Sequence, residues 1–220
     1  MTTGRMAFPL RIMAELDRLR LTQILSPAFP IGSFAHSQGL EWAIASAAVR
    51  DGAGMEDWVG SVISRGSGFA DAVFLSMGRR PGADLDALAD LYEAYLPSVG
   101  RRLEAMELGR GFGAMTKAGP VDLPYILAVA RETAALDVPD AEVLGLYLQA
   151  LAVQLLSVAV RFMPLGQGEA QRVLAALAPV IADAAVRASG AGEEALCTFT
   201  PGADIAAMAQ EHMETRIFRS

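Results

Sequence analysis

Apolar residues recur along this chain at intervals of three and four, and no stretch alternates with period two between hairpin turns. The pattern predicts an all-α fold. Ile12, Leu16, Leu19 and Ile24 mark a helix over Arg11–Leu25. After a break at Ser26–Gly32, a second helix is expected to start at a Ser33 N-cap, run to about Val49 and stop at Asp51-Gly52. Glu56–Arg65 carries Trp58, Val59, Val62 and Ile63, pauses at Gly66–Gly68 and resumes to Met77. Beyond the Arg80-Pro81-Gly82 turn, Leu85, Leu88, Leu91, Tyr92 and Tyr95 share one face of a helix over Asp84–Leu96. Further helices are expected over Arg101–Thr116, Tyr125–Leu136 and Glu169–Ala188, and from Thr200-Pro201 toward Met213. Val143–Val160 has no charged residue and reaches the ~18 residues of a membrane span. Gln149, Gln154 and Ser157 interrupt it and no basic flank orients it, so it is expected to be the central core helix, apolar all round because it is surrounded. The total is roughly nine or ten helices with short loops, in one all-α domain over residues 1–220. Residues 1–10 are expected to form a flexible leader.

One stretch departs from this monotony. In Ser26–Trp42 (SPAFPIGSFAHSQGLEW), Pro27 and Pro30 remove backbone donors and Gly32 is free to turn. Yet the turn is apolar, with Ala28, Phe29, Ile31 and Phe34, where connectors are usually polar. It either folds into its own core or offers a surface to a partner. The tail, QEHMETRIFRS, poses the same choice. It reads as a fraying terminus, but Ile217 and Phe218 between Arg216 and Arg219 have the composition of a segment that folds onto another protein.

Composition narrows the field. Hydrophobic residues at 53% supply a large core and a surplus that a second subunit would cover. A net charge of −7 argues against nucleic acid, and no polybasic run suits an anionic membrane. Cys197 is the only cysteine, which excludes an internal disulfide and points to a reducing cytoplasm; Lys117 is the only lysine. The opening residues lack the unbroken apolar run of a secretory signal.

Four candidate chemistries bear on function. Ala35–Gly39 (AHSQG) lies one residue from a serine-hydrolase elbow, and Ser37, Asp204 and His212 follow in that order, but an elbow needs a buried strand before the serine. Gly109–Ala114 (GRGFGA) partly matches a dinucleotide loop, but a helix precedes it, so its small residues are expected to let two helices approach. No phosphate-binding Walker sequence surrounds Lys117, so the chain is not itself a GTPase. With only His36 and His212, no metal site within one subunit is assigned.

The run Phe29–Trp42 resembles the N-terminal signature of the UreF family of urease accessory proteins. Val160–Gln167 (VRFMPLGQ) and Ala203–Ser220, ending RIFRS, are similar to two further blocks in the same order. The resemblance covers nearly the whole chain. It implies a cytoplasmic homodimer with no cofactor and no catalytic chemistry of its own. Such a scaffold bridges the UreD/UreH protein and the UreG GTPase, and regulates GTP-dependent nickel delivery to apo-urease. The positions it marks for UreD/UreH are Pro30, Gly32, Ser33, Phe34, His36, Ser37 and Glu211, together with Arg216, Phe218 and Ser220 of the partner-binding tail 214–220. Gln210 stands where the family has histidine, and His36 where many members have tyrosine. Arg161 is either a contact or a cation at a helix C-terminus. On this reading the bend and the tail stay uncovered on the lone chain, and the tail orders on UreD/UreH.

Overall fold

A computed structural model describes residues 7–116, 119, 121–196 and 199–220. Residues 1–6 of the expected leader, Lys117, Pro120 and Cys197 lie outside the described residues. Among those described, the regular structure is helical, with no strand. Ten α-helices follow in order: α1 (Ala7–Ile24), α2 (Leu40–Ala45), α3 (Gly52–Arg65), α4 (Ser67–Gly78), α5 (Leu85–Tyr95), α6 (Val99–Met115), α7 (Tyr125–Thr133), α8 (Asp140–Phe162), α9 (Gln167–Ala188) and α10 (Pro201–Gln210). Helix already begins at Ala7, inside the stretch expected to be a leader.

Local chemistry sets most boundaries. Asp51, expected to end a helix, begins one: its carboxylate accepts from the Gly54 amide (2.9 Å) and caps α3. Asp84 and Ser98 do the same for α5 and α6. Gly66 alone separates α3 from α4, and proline opens α10.

The centre of the fold is α4. Every residue from Gly68 to Gly78 is buried, with α3, α5, α7, α8 and α9 packed around it. This corrects the assignment of Val143–Val160 as the surrounded helix. In α8 the buried residues come in pairs (143/144, 147/148, 151/152, 155/156 and 158/159), while Leu146, Val153 and Val160 are half-buried and Gln149 is exposed. It is the one described helix long and apolar enough to cross a membrane, and its buried side packs on α4 and α9. The inner side chains, Phe218 of the tail among them, join a single hydrophobic cluster.

Gly109 serves a close approach, though not between two helices. A Cβ there would lie 2.0 Å from the Leu123 carbonyl oxygen, so the connector into α7 lies directly on α6. Ala114, expected to share that contact, is exposed.

Candidate functional site

No long helix follows the prolines. Gly32 takes φ 84°, a single 3-10 turn spans Ser33–Ala35, and His36 is extended. The Ser33 hydroxyl does not cap that turn. Gln38 and Gly39 are then left-handed (φ 57° and 86°), and only six residues of α2 follow. Gly39 is required here: a Cβ would sit 2.5 Å from the Ala207 amide of α10.

The extended segment is what the tail reads. The Arg219 amide donates to the Ala35 carbonyl (2.8 Å), and the Ser37 and Gln38 amides donate to the Ser220 main-chain oxygen (2.6 and 3.0 Å). Glu41, buried in α2, accepts the successive amides of Ile217 (2.6 Å) and Phe218 (3.0 Å), one on each oxygen. Glu211 accepts from the Gly100 amide (2.7 Å) and so ties the start of the tail to the first turn of α6. The expectation of an uncovered, fraying terminus is therefore overturned. His36, Ser37, Phe218 and Ser220 are buried within this chain, because the backbone groups of each segment satisfy the other.

Beneath the tail lies a chain of polar side chains. Ser220 Oγ donates to Glu104 Oε2 (2.6 Å), so His36 Nδ1, 2.9 Å from the same hydroxyl, carries the proton that completes the contact. Gln38 Nε2 donates to Glu104 Oε1 (2.9 Å), and Arg101 Nη1 lies 2.6 Å from Glu104 Oε2. The Ser37 hydroxyl lies 2.7 Å from the Ser220 oxygen and 2.9 Å from the Gln210 side-chain amide. One proton cannot serve two acceptors, so the Gln210 amide is oriented with its NH2 toward Ser37.

Deeper still, buried Asp71 of α4 accepts from the hydroxyls of Tyr92 (2.8 Å) and Tyr147 (2.7 Å). A cavity of about 50 Å³ between bend and helices is lined by Asp71, Arg101, Glu104 and Gln154 and has room for water.

The electrostatics follow from this arrangement. Burial pushes the Glu104 carboxyl up, but Arg101, His36 and the Ser220 hydrogen bond outweigh it and hold it below the usual carboxylate range. Burial lowers the His36 pKa below its usual value, with Glu104 and Glu107 opposing. Asp71 is raised, chiefly by burial, which Arg101 and the two tyrosines only partly offset.

The hydrolase order is not assembled. The Ser37 hydroxyl is inaccessible and engages Gln210 and Ser220, whereas His212 is exposed. Among the described residues no group of three or more His, Cys, Asp or Glu side chains is placed to hold a metal ion.

What faces outward is narrower than the sequence implied. Pro30, Gly32 and Arg216 are exposed, Phe34 is 42% exposed and Ile217 70%. Ser33 and Glu211 are half-buried. Arg161, from the last turn of α8, donates to the Phe34 carbonyl (2.9 Å) and lies over the Phe218 ring at 4.6 Å. Sequence reasoning missed Glu41, Arg101, Glu104 and Asp71, although Asp71 is the one charge in an otherwise uncharged run from Gly66 to Gly78.

Fold and site together define an all-α protein that displays an apolar bend braced by its own C-terminal segment. A UreF family model matches residues 49–178, the helical body between bend and tail. The urease accessory protein UreF of Paracoccus denitrificans is 47% identical over 95% of this chain and 99% of its own length. Its namesake in Cereibacter sphaeroides is 45% identical over 92% and 98%, and that of Rhodopseudomonas palustris 41% over 91% and 92%. The chain belongs to the UreF family.

Proposed function

We propose that this chain is a urease accessory scaffold, a cytoplasmic homodimer that bridges the UreD/UreH protein and the UreG GTPase. It promotes GTP-dependent nickel delivery to apo-urease, with nickel as cargo and no catalysis of its own. A scaffold of this kind works by differential affinity, favouring one nucleotide state of its GTPase. One observation carries the reading: the two sequence blocks flanking the helical body fold onto each other and present Phe34, Arg216 and Ile217 outward on a braced surface. A tail already folded onto the bend costs less ordering entropy on docking than a disordered tail would.

Deleting Thr215–Ser220 would strip partners from buried Glu41 and Glu104, so surface changes make the better test. Phe34→Ser combined with Arg216→Glu leaves every hydrogen bond of the cradle in place. The double variant is expected to lose co-purification with UreD/UreH and to fail to activate urease in a deletion strain, with unchanged helicity and melting midpoint. Undiminished capture refutes the assignment of this face.

A further inference from the structure

We infer that Arg161 is a positioning residue of the docking face, joining bend, tail and α8 so that Phe34 is held outward only while Phe218 is seated. This deepens the proposed function and rests on it. The guanidinium touches three segments far apart in sequence. Nε donates to the Ser157 carbonyl of its own helix (3.1 Å), and Nη2 donates to the Phe34 carbonyl (2.9 Å). The planar group lies 4.6 Å from the Phe218 ring centroid and 5.9 Å from that of Phe34. Phe162, the next residue, meets Phe218 edge to face at 6.4 Å.

A cation that only compensated the α8 dipole would need none of these directions, because any positive charge in the last turn would serve. The fork and the flat face are properties of arginine that lysine lacks. Arg161 is itself exposed, so burial does not impose the arrangement. Its two bonds and two ring contacts do. The Val160–Gln167 block is thereby tied to the other two, because its arginine reaches across to both.

The test compares Arg161→Lys and Arg161→Ala with the wild-type full chain by amide hydrogen exchange. The probes are the Ser37, Gln38, Ile217, Phe218 and Arg219 amides, which hold bend and tail together. Both variants are expected to speed exchange at these amides by about fivefold, leave the α4 amides unchanged and weaken UreD/UreH capture. Exchange in Arg161→Lys equal to wild type overturns the inference and leaves Arg161 a dipole cation. Faster exchange with undiminished capture upholds Arg161 as the pin and instead sinks the proposed docking face.

Discussion

Replacing Glu41 by glutamine asks how firmly the tail is held. The carboxylate is 1% exposed and accepts two successive amides, Ile217 on one oxygen and Phe218 on the other. Glutamine keeps the shape, but offers one oxygen and points an NH2 group at the second amide. A hydrogen bond to a charged group contributes about 1.5–3 kcal/mol, and an orphaned buried donor costs a similar amount. A loss of about 2 kcal/mol raises the tail-opening constant by about 30-fold. Global stability should fall by less than the local effect. The tail can release while α4 and its neighbours stay folded, so the loss in global stability stops at the free energy of docking the tail.

The assay is native-state hydrogen exchange at the amides of residues 217–219 and 37–38, with chemical denaturation alongside. The expected result is a rise of about 30-fold in tail exchange with little change in the denaturation slope. Glu107→Gln is the matched control. Glu107 pairs with Arg219 at 2.7 Å, but both side chains are substantially exposed, so its loss should cost below about 1 kcal/mol. Equal exchange in Glu41→Gln and Glu107→Gln would refute the claim that buried carboxylate-to-amide bonds fasten the tail.

The number of helices was legible because apolar residues at helical spacing leave a 3.6-residue signature in the chain. The faces were legible only in part: of the residues marking α1, Ile12, Leu16 and Leu19 are exposed and only Ile24 is buried, and Tyr95 of α5 is exposed. The central element was misassigned because length drew attention to α8, whereas α4 is only 12 residues long and is buried by neighbours that its own sequence does not mention. The bend–tail site was legible as two unusual segments, since apolar turns and an aromatic-arginine terminus stand out locally. That each is the other's partner was not legible. The bonds joining them are largely main-chain amides and carbonyls of residues 35–38 and 217–220, which every sequence possesses. The side chains that complete the joint, Glu41, Glu104 and Arg101, carry no local motif that marks them as buried. The expected Ser33 cap failed for the same reason, because the tail demands an extended strand-like stretch where local propensity favours an immediate helix.

Two further outcomes are expected. Gly39→Ala places a Cβ at φ 86° and 2.5 Å from the Ala207 amide. It should cost about 2–4 kcal/mol, lowering the melting midpoint by roughly 5–15 °C, and a midpoint matching wild type would show that α2 and α10 separate freely. Acidification should loosen the tail. His36, faced by Glu104, Glu107, Arg219 and Arg101, has a pKa below its usual 6.5, so the opened state takes up the proton first. Its contribution is complete above pH 6.5 and declines as pH falls toward the folded value. Glu104, held below 4.5, contributes above that pH and is lost as pH falls through its own folded value. Asp71 works the other way, its raised pKa penalising the fold as pH rises past 3.8, but it lies outside the tail's hydrogen bonds. Tail exchange, corrected for intrinsic rates, should therefore rise as pH falls from 7.5 toward 5 in wild type and stay flatter in His36→Gln. Identical profiles for the two proteins would mean that the imidazole does not stand between the bend and the Ser220 hydroxyl as the geometry requires.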